Sequence, residues 1–298
     1  MENVSVVCFL ASYLVALVLE GTRFLRRSRI SRFIMVGFAG AGLLAHTVYL
    51  FYRFKATHLP PLLSSTHDWL LVLAWLAVLF YLFLTLMDRD LAIGVFLLPI
   101  VLLLIVSAHF VSDVPNAVVA GDAVVRERAI RAWGMLHASL LVFGMAFVIL
   151  ALVLGMMYVV QHSRLKHKQT LSEGLALPSL SRLARWNWWA VVVSVPLLTL
   201  GMATGVGLGL YSQRGPEPVS FSDPVILVYG AVWSVMFGFF LWLTNTGRPT
   251  AKQVAWLTIW LFGFLLVTVV GLQVLTGGLG SFDSWHACVE TVPATWTV

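Results

Sequence analysis

The chain has 298 residues, of which 60% are hydrophobic and only 11% are charged, and its net charge is +6 at pH 7. So little polar surface cannot cover a water-soluble globule, which indicates a multi-pass membrane protein whose main surroundings are the lipid bilayer. The basic residues fall in short segments between apolar runs, a pattern that sets membrane topology, and nucleic acid is therefore excluded as a partner.

Apolar runs long enough to cross a membrane predict an all-α bundle of eight transmembrane helices, which forms a single domain over residues 1–298. In chain order the predicted spans are 4–19, 33–52, 69–87, 91–111, 136–160, 188–211, 224–243 and 254–275. With both termini outside, thirteen of the 19 Lys and Arg residues face inward and six face outward, as the positive-inside rule requires.

The loop between the second and third spans contains Pro60 and Pro61 and several serines. These residues predict an irregular outer loop, in which His58 and His67 are exposed.

Several kinds of chemistry are missing from the sequence. The two cysteines, Cys8 and Cys288, lie near opposite chain ends, and without a CxxC or CxxCH motif the chain is neither a dithiol oxidoreductase nor itself a c-type cytochrome. Apart from Glu20 and Asp223 near the membrane surfaces, no carboxylate lies in an apolar run, which disfavours a secondary transporter. No phosphate-binding loop, zinc-type spacing or GxSxG motif occurs, so the sequence favours a protein without enzymatic activity.

Three histidines, His46, His109 and His137, lie in predicted spans close to their outer ends. Their depths differ by only about 6 Å at the helical rise per residue. Neutral imidazoles at one level on separate helices suit the axial ligation of a haem iron, with the apolar bundle accepting the porphyrin. The alternative is that each histidine only forms a hydrogen bond with a neighbouring carbonyl or serine hydroxyl.

Two further features accompany the leading candidate, His137. Small residues in the sixth span let a helix or a flat ligand approach the backbone closely. These are Gly201, Gly205, Gly207 and Gly209. Arg126, Arg128 and Arg131 precede His137, and their guanidinium groups suit the propionate carboxylates of haem, although a solvated surface or contact with lipid headgroups is the alternative.

The stretch LSRLARWNWWAVVVSVPLLTLGMATGV resembles a segment of the CcsA, CcmC and HemX superfamily of cytochrome c assembly membrane proteins. LHASLLVFGMAFVILALVLGMMYVVQHSRLK is similar to the histidine-led helix of that family, and SDPVILVYGAVWSVMFGFFLWL is similar to its Trp-Asp-Pro helix. The resemblance implies binding or delivery of haem at the outer face of a bacterial cytoplasmic membrane, together with other cytochrome c assembly proteins. It implies His137 as the first external ligand of the haem iron and matches His46 to a membrane histidine of the family.

The chain departs from the haem-handling members at the loop that should be rich in tryptophan, where it keeps only Asp223 and Pro224. Gly280 replaces the second external histidine, and His286 from the outer tail is the candidate substitute. We therefore predict that His137 and His46 ligate the iron and that further contacts to haem come from His109, His286, Asp223 and Arg131. The departures are typical of the HemX-like branch and leave two alternatives open: a membrane regulator of haem synthesis without bound haem, and an accessory subunit of a membrane redox complex.

Overall fold

The computed structural model describes residues 6–22, 29–57, 60–87, 92–111, 126–166, 177–212, 222–246 and 249–278. Within these ranges the chain is helical and contains no strand. The helices are α1 (Val6–Thr22), α2 (Arg29–Thr57), α3 (Pro61–Ser64), α4 (Thr66–Met87), α5 (Gly94–Ala108), α6 (Arg126–Lys166), α7 (Leu180–Ser212), α8 (Pro224–Asn245) and α9 (Ala251–Gly278). The predicted all-α class is confirmed.

Every predicted span coincides with one of these helices. Six of them, α2, α4, α6, α7, α8 and α9, are long and apolar enough to cross a membrane. The first and fourth spans correspond to the shorter apolar helices α1 and α5, with 17 and 15 residues. These two reach about 25 Å and 22 Å, somewhat less than the roughly 30 Å of bilayer hydrocarbon. The protein is a multi-pass membrane protein.

Two helix pairs position His46 and His137. The longest helix, α6, packs most extensively against α7 and also contacts α9, α4 and α5, whereas α2 packs mainly against α1. Helix α4 lies beside both pairs, because it contacts α2 as well as α6. The core between them is almost entirely apolar, as expected for a bundle whose outer faces meet lipid instead of water.

Helix α6 runs antiparallel to α7. Its 41 residues begin at Arg126, so the arginine segment predicted before the fifth span forms the first turns of the same helix. At the other end α6 finishes and α7 starts among positive charges, and we call this side of the bundle the basic end. It carries Arg164, Lys166, Arg182 and Arg185.

The loop between the second and third spans is more regular than predicted. Pro60 is the N-cap residue of the short helix α3, and Pro61 is its first residue, a position that needs no backbone N–H. Helix α3 contacts α2, α4 and α6, and so covers the end of the bundle at which α2 ends and α4 begins.

Candidate functional site

His137 faces α7 and is held there by a backbone carbonyl. Its Nδ1 lies 2.8 Å from the carbonyl oxygen of Gly201 and 3.3 Å from Oγ1 of Thr204. The Thr204 hydroxyl donates to the same carbonyl at 2.7 Å. Since a carbonyl oxygen can only accept, Nδ1 carries the proton, and in the neutral ring Nε2 is then the nitrogen with the lone pair.

The glycine series of α7 makes this close approach possible. A Cβ at position 205 would lie 2.7 Å from Cε1 of His137, and a Cβ at position 201 would lie 2.7 Å from Cδ2 of Leu141. Both distances are shorter than real Cβ contacts, so with a larger residue at either position the side chain of His137 or Leu141 would have to shift. The sequence indicated that either a helix or a flat ligand could approach these glycines. In the structure it is a helix, α6.

Trp133 forms a second anchor one turn before His137. Its indole Nε1 donates to the carbonyl of Thr204 at 2.9 Å. Its ring lies over Gly207, where a Cβ would be 3.0 Å from Cζ2. Two residues four positions apart on α6 therefore fix the register of α6 against the last turns of α7.

His46 lies in a different environment, between α1 and α2. The residue is fully buried, and its ring stacks on Phe9 with centroids 4.2 Å apart and an interplanar angle of 1°. Its Nδ1 is 3.3 Å from the hydroxyl of Tyr13. Within the described part of the chain, Nε2 of His46 is buried without a hydrogen-bond partner. An unpaired buried nitrogen of this kind calls for an explanation.

The structure does not bring His46 and His137 into one site. One ring lies in the α1–α2 pair and the other in the α6–α7 pair, and α4 packs between the helices that carry them. Similar depth in two helices, which the sequence indicated, does not place two side chains side by side.

His109 was predicted near the outer end of the fourth span, and the helix of that span stops one residue short of it. Helix α5 ends at Ala108, and His109 follows it as the C-cap residue, with an exposed side chain beside Phe110. Its backbone N–H donates to the carbonyl of Val106 at 3.1 Å, closing a tight last turn. The apolar run 91–111 gave no sign of where the helix stops.

Asp223 begins a helix in the described part of the chain. It is the N-cap of α8, and its carboxylate accepts a hydrogen bond from the backbone N–H of Val225 at 2.8 Å. Pro224 follows as the first helical residue, which makes Asp-Pro a strong helix start. Asp223 and Pro224 therefore serve to begin a helix.

Arg131 is exposed on the early turns of α6, six positions before His137. The side chains of Arg126 and Arg128 are outside what the structure describes. His286 likewise lies outside the described residues, as does Cys288.

A buried charged cluster that the sequence did not reveal lies where α2, α3 and α4 meet. Arg53 Nε donates to both carboxylate oxygens of Asp68, at 2.9 Å and 3.2 Å. The hydroxyl of Ser64 also donates to this carboxylate, and Nδ1 of His67 is 3.1 Å from it. The Asp68 side chain is fully buried, so its charge depends on these partners.

This cluster corrects the expectation that His67 is exposed, because the residue is buried. His58, with which it was grouped, falls outside the described residues. The signal available in the sequence was an arginine and an aspartate on either side of a short loop with two prolines, which a helical hairpin brings together.

The donors near His137 fit haem better than a bare metal ion. Among the described residues, no group of three or more His, Cys, Asp or Glu side chains could hold a metal ion. Haem needs only one or two protein donors, since the porphyrin supplies the other ligands. A histidine whose second ring nitrogen donates to a backbone carbonyl is the usual arrangement of a metal-ligating imidazole.

A comparison with protein-family models matches residues 63–279 to the family described as cytochrome c assembly protein. The matched region contains His137, His109, Asp223 and Arg131, while His46 lies outside it. No curated protein and no solved structure matches the chain. Since the match covers more than two thirds of an all-helical membrane chain, the protein belongs to the cytochrome c assembly family and has a role in the biogenesis of c-type cytochromes.

Proposed function

We propose that this protein binds haem at the outer face of a bacterial cytoplasmic membrane and that His137 is an axial ligand of the iron. The observation that carries the proposal is the hydrogen bond from Nδ1 of His137 to the carbonyl of Gly201. It sets the tautomer in which Nε2 can coordinate, and it holds the ring against rotation.

The surface around His137 supports this role. Large apolar side chains next to it on α6 and α7 are exposed in the described structure, among them Trp133, Leu136, Val206 and Leu210. A porphyrin is flat and apolar, so such a surface can accept one of its faces or edges. When bound, haem supplies the iron and two propionates, while the chain supplies an oriented imidazole and apolar contacts.

The site as described favours one protein ligand from this region. The opposite ligand assigned to His46 gains no support from the packing, because that ring belongs to another helix pair. His286 remains a candidate for this position, and Arg131 remains a candidate partner for a propionate. Other membrane proteins of cytochrome c assembly are the expected partners for delivery of haem.

A second candidate function is a HemX-like regulatory role without bound haem. It is favoured by Asp223, whose carboxylate caps α8, and by the absence of tryptophan from the loop before it. The accessory-subunit alternative would instead show itself through co-purifying redox proteins.

The absorption spectrum of the detergent-purified protein, produced with ample haem, separates these candidates. A Soret band that co-elutes with the protein in stoichiometric amount supports the haem-binding function. A protein that is folded and helical but shows no Soret band, also after addition of haemin, contradicts it and favours the regulatory role.

A further inference from the structure

An apolar groove opens on the lipid-facing side of the bundle, between α4, α6 and α7. Its volume is about 210 Å³. It is lined by Leu84, Phe147, Leu150, Leu154, Trp186, Trp189, Ala190 and Val193. Every lining side chain is apolar or aromatic, so an occupant inside the bilayer must itself be apolar.

One face of α7 continues this groove to the basic end. Arg182, Trp186, Trp189 and Val193 follow each other at the three- and four-residue spacing that keeps side chains on one side of a helix. The guanidinium of Arg182 lies over the indole of Trp186, 5.8 Å from the ring centroid. Along the same face the surface thus changes from aliphatic to aromatic to positively charged.

Arg185 adds a second positive charge beside Trp189, four residues away on the same side of α7. Its side chain is exposed, and among the described residues it forms no ion pair. A guanidinium presents several donors in one plane, which suits the oxygens of a phosphate.

From this arrangement we infer a binding site for an anionic phospholipid, with an acyl chain in the groove and the phosphate at Arg182 and Arg185. The arrangement of apolar and charged side chains fits this occupant. The acyl chain would meet only apolar atoms, and the phosphate would meet two guanidinium groups. Basic pockets between transmembrane helices recognise acidic headgroups in the same way. The ligand would bridge α6 and α7, the pair that positions His137, at the end opposite to that histidine.

The test compares two lipids with the same acyl chains, dioleoyl phosphatidylglycerol and dioleoyl phosphatidylcholine. Native mass spectrometry of the full-length protein counts the molecules of each lipid that it retains. The wild type should retain one phosphatidylglycerol in preference to phosphatidylcholine. Removing both charges, with Arg182→Gln and Arg185→Gln, should lower that retention about tenfold, since each arginine near a headgroup adds measurably to binding.

Two further variants locate the ligand. Val193→Trp fills the groove without changing any charge and should also lower retention of phosphatidylglycerol. Lys166→Gln removes a positive charge from the same end of the bundle but on another face of α6, and it should behave like the wild type.

Several results would overturn the inference. They are equal retention of the two lipids by the wild type, unchanged retention after loss of both arginines, and unchanged retention in Val193→Trp. A dimer that Val193→Trp dissociates would assign the groove to a second copy of the chain and would also overturn it.

Discussion

His137 on α6 and Gly201 on α7 are joined by a hydrogen bond of 2.8 Å between the imidazole Nδ1 and the backbone carbonyl. The sequence also allowed a simpler interpretation, in which the histidine only forms a hydrogen bond with a neighbouring group. The observed bond agrees with it, since it satisfies a polar group in an apolar helix. The bond involves Nδ1 and so puts the lone pair of the neutral ring on Nε2. The same contact therefore fixes the tautomer that a metal-ligating histidine needs, so the two interpretations are compatible.

The first prediction concerns the glycine under the His137 ring. Gly205→Ala places a Cβ 2.7 Å from Cε1 of His137, so the ring or the helix has to move. We expect a loss of about 1–3 kcal/mol in the free energy of unfolding, as for other overpacked sites, together with weaker haem binding. Unfolding in detergent, followed by circular dichroism, measures the loss.

The matched control for this variant is Gly238→Ala on α8, where a Cβ meets nothing within 4 Å. Helix propensity then changes in the same way without a steric clash, so stability should stay the same or rise slightly. Equal stability of the two variants would show that the close contact at Gly205 has no energetic weight.

The second prediction concerns the ion pair between Arg53 and Asp68. Asp68→Ala removes the fully buried carboxylate to which the Arg53 guanidinium donates. We expect a destabilisation of about 3 kcal/mol, the lower part of the range for breaking a buried pair, because Arg53 still reaches solvent in part.

Replacing both members together, as Arg53→Met with Asp68→Leu, should restore much of this loss, since no uncompensated charge then remains. Lys55→Gln on the same helix is the control, because Lys55 is exposed and should matter little. A double variant as unstable as Asp68→Ala would argue against the ion-pair explanation.

The third prediction concerns Arg131. It lies about 9 Å from His137 along the helix axis, within reach of a propionate for a long side chain. Arg131→Gln should lower haem retention up to about fivefold, and the difference should shrink as salt is raised. Lys252→Gln, at the basic end, is the control for a general charge effect. Retention equal to the control at every salt concentration would leave Arg131 as a solvated residue.

The fourth prediction concerns topology. The distribution of basic residues predicts that both termini lie outside, and this orientation can be tested with Cys288 after Cys8→Ser removes the other cysteine. An impermeant maleimide added to intact cells should label Cys288. Labelling only after the cytoplasmic side is opened would reverse the predicted orientation of the chain.

The sequence was sufficient for the helices and their order, because each apolar run is local and its length is set by the bilayer. It also predicted close packing at the glycines of α7, which Leu141 and His137 now occupy from α6. The ends of the helices were harder to predict. His109 follows the end of α5 although the apolar run continues past it, and Pro61 starts a short helix where an irregular loop was predicted.

Lateral relationships between helices could not be predicted from the sequence. His46 and His137 have similar depths in their helices, but the choice of packing partners separates them into two pairs. The pairing of Arg53 with Asp68 is similarly non-local, since it depends on how α2 and α4 meet around α3. Such contacts follow from the fit of whole helix faces, which no single motif specifies.

The most direct test of the account replaces His137 in protein produced with ample haem and compares it with variants of the other two histidines. His137→Ala should abolish or shift the Soret band, because the iron loses an axial ligand, while His109→Ala should leave it unchanged because His109 is exposed at the end of α5. His46→Ala shows whether the buried imidazole of the α1–α2 pair also meets the haem. A wild-type Soret band that is identical in His137→Ala would contradict the central claim, and His137 would then serve only to join α6 to α7.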